Sequence, residues 1–465
     1  MPRILHLGLG AFHRAHQAAY LQTLHDAGER RWTLAAGNIR AGNEETVEAL
    51  QSQAGAFTLE TVAADGQRRY RRIQAIDEVL PWQPDLQALV DEGSRSETAI
   101  VSFTVTEAGY FLDAGGRLGL AAPDVSADVN AVRSGGCCTT VYGALALILR
   151  ERMRRGSGAV TLLSCDNLRH NGDRSRAGLM RFLEAVGDAP LQGWIDQHTT
   201  WPNSMVDRIT PRPTADVLAR VLGATGFDDR AAVMSEDYSQ WVIEDAFAAG
   251  RPPWEQAGVE LVASVAPYEE AKIRLLNASH SAIAWAGTLA GTAYIHEGVA
   301  DAEVRGFAER YLVVDAIPTL QPSPVDLAGY GRSVLERFGN ALIRDSNERV
   351  AADSFAKLMG FVAPTVRDRL ARGLTIDAVA MLPALYLAWL QRWHAGLLPY
   401  AYEDQSLAAD AAARLAAADD PVGVLAADAR VWQQWAGHAV LVASLRRARA
   451  TVAEFDASRS TTGPV

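Results

Sequence analysis

Residues 3–16, RILHLGLGAFHRAH, run from an apolar stretch through a G-x-G turn into a polar cluster. RILHLGLG (3–10) reads as a buried strand and AHQAAYLQTLHDAG (15–28) as an amphipathic helix. WTLAAGNIR (32–40) is the next strand, and TAIVSFTVTEAGYFLD (98–113) contains another. Strand, helix, strand at this spacing predicts βαβ units and a parallel sheet of Rossmann type. AVTLLSCDNLRHNGD (159–173) repeats the theme, an apolar strand ending in polar residues. Ligands of open parallel sheets bind outside the carboxyl ends of the strands, so those ends hold the first candidates.

Gly8 and Gly10 stand between the first strand and its helix. Such a turn lets backbone approach a pyrophosphate, and the following helix start offers N–H groups to it. The third glycine of the full fingerprint is missing, because His13 stands three residues after Gly10. Gly8, Leu9, Gly10, Ala11 and Phe12 form the candidate cofactor-binding run, and the other reading is a plain strand-to-helix turn. His13, Arg14 and His16 are placed for anionic groups, and fit equally a solvated cluster or a structural role. After the second strand comes GNIRAGNEE (37–45), where Asn43 precedes Glu44 and Glu45. An acid here would take the ribose hydroxyl of NAD, and Arg40 would take the 2′-phosphate of NADP, so both cofactors stay open.

The chain has 465 residues, enough for two domains, with a formal charge of −11. That charge opposes nucleic acid and anionic membranes as partners and suits a neutral small molecule. Three cysteines, Cys137, Cys138 and Cys165, show no CxxC spacing, so neither a disulfide framework nor a cysteine metal site is expected. The amino terminus enters a strand with no leader pattern, and the most apolar stretches, 282–295 and 378–390, are too short to span a bilayer. A cytoplasmic location is expected. From about residue 263 Ala- and Leu-rich helical runs take over, at 268–291, 378–394, 405–417 and 429–450. The expected division is 1–262, a dinucleotide-binding domain, and 263–465, a mostly α-helical domain. Residues 315–325 read as a loop, and the tail SRSTTGPV as frayed.

YEEAKIRLLNASHSAIAWAG (268–287) is an apolar helix interrupted by Lys272, Asn277 and His280. On an ideal α-helix Glu269, Lys272 and His280 fall within about 80° and Asn277 about 60° further, so all four share one side. Burial disfavours the charged form of a lysine and suits it to act as a base near neutral pH. Alcohol oxidation needs such a base for the hydroxyl proton, and an amide can donate to the developing alkoxide. The alternative is a Glu–Lys pair on a solvated edge with His280 as a core histidine.

GLGAFHRAH, FTVTEAGY, SCDNLRHNGD, MVDRITPR and PYEEAKIRLLNASHS, in this order, resemble the polyol-specific long-chain dehydrogenase/reductase family, often called the mannitol dehydrogenase family. The likeness covers nearly the whole chain, and K-x-x-x-x-N-x-x-H is its most specific motif. Stretches such as CDNLRHNGDR, RVAADSFAK and AMLPALYLAWLQRWHAGLLPYAYED look like the branch that acts on D-arabinitol. The resemblance implies a Rossmann-type domain, a helical domain, and a substrate cleft between them without catalytic metal. It makes Lys272 the general base, Asn277 and Asn167 the holders of the reacting oxygen, and His280 the residue that orients substrate hydroxyls. Glu269 becomes a proton-relay partner, and Asp207, Arg349 and Lys357 bind substrate. Blander roles exist for these last residues. Asn167 fits a turn beside Asp166, Asp207 fits an ion pair with Arg208 or Arg212, and Arg349 and Lys357 fit surface cations. The implied activity is oxidation of D-arabinitol to D-xylulose with NAD by a monomer. D-mannitol oxidation, keto-uronate reduction and a non-catalytic dinucleotide sensor are the rivals.

Overall fold

The structure is a computed structural model that describes residues 1–113 and 116–460. It divides into two compact units, residues 1–63 with 67–266, and residues 267–465 with 64–66.

The amino-terminal unit is built on six parallel strands: β1 (Arg3–Leu7), β2 (Thr33–Gly37), β3 (Glu78–Val79), β4 (Thr98–Phe103), β5 (Val160–Ser164) and β6 (Thr199–Thr200). Their spatial order is β3-β2-β1-β4-β5-β6. This is the order of a doubly wound dinucleotide-binding sheet, with its switch point between β1 and β4. Apolar side chains leave both faces. Leu5, Leu7, Val101, Phe103, Val160 and Leu162 pack into one core, while Ile4, Leu34, Ala36, Ile100 and Leu163 pack into the other. Burial on both sides explains why these strands read as continuous apolar runs. Two three-stranded sheets complete the unit. One joins Val233–Glu236, Phe57–Val62 and Arg68–Ile73, and the other joins Glu260–Val262, Gln240–Glu244 and Ser204–Asp207.

The carboxy-terminal unit is mostly helical, as its composition predicts. The helices Ala278–Leu289 and Met381–His394 pack on one another and are buried almost all round. That burial accounts for the two most apolar stretches in the sequence. Among the described residues no helix is long and apolar enough to cross a membrane. Cys137, Cys138 and Cys165 are free thiols.

Several expected elements are corrected. The helix placed at 15–28 is two helices, Ala11–Ala15 and Gln17–Asp26, broken at His16, whose φ of −117° and ψ of −85° leave the helical region. The loop expected over 315–325 is helical as far as Leu320. Pro318 follows directly on the π turn Tyr311–Ala316, inside one continuous helical run that ends at Leu320. The run at 405–417 is helical only over Ala409–Ala416. Its lead-in is a turn whose Ser406 and Leu407 amides donate to Asp404. The run at 429–450 breaks between Trp435 and Ala439, where Gly437 takes a left-handed φ of 72° and donates to the Ala426 carbonyl. The last helix continues to Ser460, so the first residues of the supposed frayed tail are helical, and 461–465 lie outside the described residues.

Candidate active site

In the amino-terminal unit the G-x-G turn follows β1. Gly8 has a φ of +120°, and a Cβ there would lie 2.6 Å from the Thr104 carbonyl oxygen. Handedness and space therefore both require glycine. Leu9 donates its amide to Asn38 Oδ1 at 2.8 Å, so the residue that follows β2 fixes the turn. Gly10 is exposed at the start of Ala11–Ala15, and a Cβ there would meet nothing within 4 Å. The backbone of Gly10 is thus open to an approaching ligand. Sequence reading missed Asn38, whose only signal was an amide directly after a strand.

The polar cluster beyond the turn is internal, which removes the anion-binding reading. His13, Arg14 and His16 are all buried. His13 stacks on His6 with ring centroids 3.6 Å apart, and burial pushes its pKa down to about 3, so the ring is neutral. Arg14 donates to the Ala231 carbonyl, and His16 Nε2 lies 3.0 Å from the Gln240 carbonyl. Arg40 is exposed, and its Nε donates to the Thr139 carbonyl at 2.5 Å while Nη2 lies 3.2 Å from Asp124.

The ends of β4 and β5 are tied together by Asp166. Its carboxylate accepts the amides of Val105 (2.9 Å) and Thr106 (2.9 Å) and the Tyr110 hydroxyl (3.0 Å). Burial pushes its pKa up to about 6 against the pull of these donors. The loop it holds contains Thr106 at a φ of 64°, a conformation that needs such clamping. Asn167 is exposed next to it, its amide 3.3 Å from Glu107 of the same loop. Asn171 donates to the Asp166 and Ser204 carbonyls and fixes the start of the next helix. Asp207 ends a strand and is buried, while Arg208 spends its donors on the carbonyls of Ala15 and Glu236.

In the carboxy-terminal unit the lysine helix is not an ideal α-helix. Lys272–Asn277 forms a π turn between the α-helical segments Ala266–Ala271 and Ala278–Leu289. The even 100° spacing therefore does not carry from Glu269 and Lys272 across to His280. The Tyr311 hydroxyl donates to the Arg274 carbonyl inside this turn at 2.8 Å. Arg274 itself pairs with Glu270 (2.7 Å) and Asp368 (2.5 Å). Two more π turns, Tyr311–Ala316 and Leu358–Val362, pack against it. Glu269 and Lys272 are buried and Asn277 half-buried.

His280 stacks on Phe338, with centroids 4.4 Å apart, and its Nε2 lies 3.2 Å from Asp345 Oδ2. Burial lowers its pKa despite that carboxylate. Arg349 grips the same carboxylate through Nε (2.6 Å) and Nη2. Burial would raise the Asp345 carboxyl, but His280 and Arg349 outweigh it and hold the group well below the usual range. Lys357 donates to the Val350 carbonyl at 2.7 Å, and its charge acts on the His280 ring. Two of the expected residues, His280 and Arg349, thus meet at one aspartate that sequence reading did not select, and the charge of a third, Lys357, reaches the same imidazole. Among the described residues no three His, Cys, Asp or Glu side chains are grouped to hold a metal ion.

The Mannitol dehydrogenase Rossmann domain family matches residues 2–256, and the Mannitol dehydrogenase C-terminal domain family matches residues 264–452. The chain belongs to the mannitol dehydrogenase family. D-arabinitol 4-dehydrogenase of Ralstonia nicotianae (strain ATCC BAA-1114 / GMI1000) is 53% identical over 461 residues, covering 98% of each chain. D-arabinitol 4-dehydrogenase of Klebsiella pneumoniae is 48% identical over 448 residues, covering 96% of this chain and 97% of that one. Among solved structures, the ternary complex of Pseudomonas fluorescens mannitol 2-dehydrogenase with NAD and D-mannitol superposes with a TM-score of 0.83 at 32% identity. It covers 100% of this chain and 95% of that one. Membership of the mannitol dehydrogenase family bears out the resemblance and the two-part fold, a parallel-sheet Rossmann unit followed by a helical one.

Proposed function

We propose that the chain oxidises a secondary hydroxyl of a free sugar alcohol, D-arabinitol to D-xylulose, with NAD as cofactor. The observation that carries this reading is the near-full-length identity to two D-arabinitol 4-dehydrogenases. The glycine turn fits a dinucleotide: Gly8 packs where only glycine can, and Gly10 leaves open backbone at the switch point of the sheet. NAD, when bound, accepts the hydride from the carbinol carbon. We assign Leu9, Ala11 and Phe12 to the same cofactor run. Arg40, engaged with Thr139 and Asp124, is the weaker candidate for a 2′-phosphate, which favours NAD over NADP.

Lys272 is the base that takes the hydroxyl proton, and Glu269, one turn before it, passes that proton on. Asn277 and Asn167 donate to the reacting oxygen as its negative charge grows. His280, Arg349 and Lys357 hold the remaining hydroxyls, and Asp207 contributes to the polyol pocket. The protein is taken to act as a cytoplasmic monomer, which light scattering on the purified protein would check.

The test is cofactor reduction by purified protein with D-arabinitol, D-mannitol and D-sorbitol, each with NAD and with NADP. D-arabinitol with NAD should give the highest kcat/KM. Preference for D-mannitol would overturn the substrate and keep the chemistry. Lys272→Ala should lower kcat by roughly a thousandfold or more while NAD binding persists. Near-normal turnover in that variant would remove Lys272 from its role.

A further inference from the structure

Asp345 touches both His280 and Arg349, and its placement is over-determined. Its carbonyl accepts the Ile295 amide at 2.9 Å. The neighbouring Ser346 forms an antiparallel bridge with Tyr294 and caps the helix Asn347–Ala351 by accepting the Arg349 amide. The preceding Arg344 adopts a φ of 50°, and its guanidinium donates to the Tyr294 hydroxyl at 2.8 Å. A backbone fixed on both sides aims the carboxylate at His280, whose other side is closed by the Phe338 ring. Arg349 reaches it from one helical turn away, and its own side chain is 66% exposed. Two of the guanidinium's donors are thus occupied while the rest of the group faces outward.

We propose that Asp345 is a positioning and specificity residue that selects uncharged polyols over carboxylated sugar acids. The inference rests on the reading of His280 and Arg349 as polyol-binding groups. Asp345 orients the imidazole toward hydroxyls and cancels one of the two cationic charges that Arg349 and Lys357 bring to this patch. An uncharged chain of hydroxyls needs directional donors and acceptors. A sugar acid needs a free cation, ideally an unpaired guanidinium that can grip a carboxylate through two bonds. With Asp345 in place, an incoming carboxylate meets an arginine already paired with one of its own kind.

The experiment compares D-arabinitol with D-arabinonate, which carries the same carbon chain with a carboxylate at C1 and the same hydroxyl at C4. Steady-state kcat and KM are measured with NAD for the intact protein, Asp345→Asn, Asp345→Glu and Arg349→Gln, alongside circular dichroism. Asp345→Asn should raise the KM for D-arabinitol by roughly tenfold with a smaller change in kcat, as expected for loss of a charge-assisted hydrogen bond. It should also lower the arabinitol-to-arabinonate ratio of kcat/KM by about tenfold or more. Asp345→Glu should recover part of both losses. Arg349→Gln leaves the carboxylate unbalanced and should move the ratio the opposite way, further against the sugar acid. An unchanged ratio in Asp345→Asn, or a shift in the same direction in both variants, overturns the proposal. If Asp345→Asn does not fold, Arg349→Gln decides alone, because a ratio that stays level or falls refutes the idea. No turnover of D-arabinitol by the intact protein would instead defeat the functional reading on which the inference rests.

Discussion

Asp166 should make the amino-terminal unit less stable as pH rises from 4 to 7, and Asp166→Asn should remove that loss. Its pKa is pushed from 3.8 up to about 6, burial being the dominant cause. Below 3.8 the carboxyl is protonated in both the folded and the unfolded chain. Between 3.8 and 6 the unfolded chain releases the proton while the folded one keeps it, so unfolding gains. At about 1.4 kcal/mol per unit, a shift of about two units removes roughly 3 kcal/mol by neutral pH. About 2 kcal/mol of this falls between pH 4.5 and 7.5. Asparagine keeps the geometry without the titration: Oδ1 still accepts the Val105 and Thr106 amides. The new NH2 faces Tyr110, whose hydroxyl can turn to donate to Ser164 Oγ, 2.5 Å away. Carboxylates such as Glu60 and Asp301, held below their ordinary values by arginines and backbone amides, change stability with pH in the opposite sense. The quantity to read is therefore the difference between variant and parent at each pH. Urea titrations at pH 4.5 and 7.5 would be followed by hydrogen exchange in peptides spanning Thr98–Tyr110, which report on this unit alone. The variant should gain about 2 kcal/mol on the parent between the two pH values. A difference that stays constant would mean that Asp166 ionises at its ordinary value and that the reasoning from burial is wrong.

Two further outcomes follow from single contacts. Arg152 is wholly buried and donates to the carbonyls of Gly93, Arg95, Ser157, Gly158 and Ala159, so Arg152→Met should cost about 3–5 kcal/mol; thermal unfolding that moves by less than about 2 °C would refute this. Tyr311→Phe removes the donor to the Arg274 carbonyl and should loosen the π turn that carries Lys272. Turnover should fall roughly tenfold and exchange across 272–277 should quicken, in line with about 1–2 kcal/mol for an unpaired buried carbonyl. Unchanged rates in both assays would separate that hydroxyl from the turn.

The Rossmann unit was legible because its strands are covered on both faces, which writes them as apolar runs, and because a sharp turn at Gly8 admits only glycine. That the sequence left His13, Arg14 and His16 open between an anion site and a structural role has an equally physical cause. Polar residues at a helix start look solvent-facing when only their neighbours in sequence are known. Here the groups that cover them, Ala231, Gln240 and Trp241, arrive more than two hundred residues later. Asn38 escaped notice for a related reason, since what it does is accept one amide from the opposite turn.

The lysine helix shows where local pattern stops. Lys272, Asn277 and His280 were visible as intruders in an apolar run, because a buried polar side chain is costly unless its surroundings use it. Their relative phase was not visible. It depends on a π turn whose Arg274 carbonyl accepts the Tyr311 hydroxyl and which sits against two further π turns, none of which leaves a periodic mark. Asp345 was invisible for a third reason. Read in sequence it is one more acid beside two arginines, a bland i,i+4 pair with Arg349 worth little on a solvated face. Only the fold brings the imidazole of His280 to the Oδ2 that Arg349 also grips and turns that pair into a shared anchor. Single residues marked the candidate site in this chain, while the contacts that orient them come from segments far away along it. Substrate preference should therefore change most readily by substitution at positions such as Asp345, with the lysine, the asparagines and the glycine turn left unaltered.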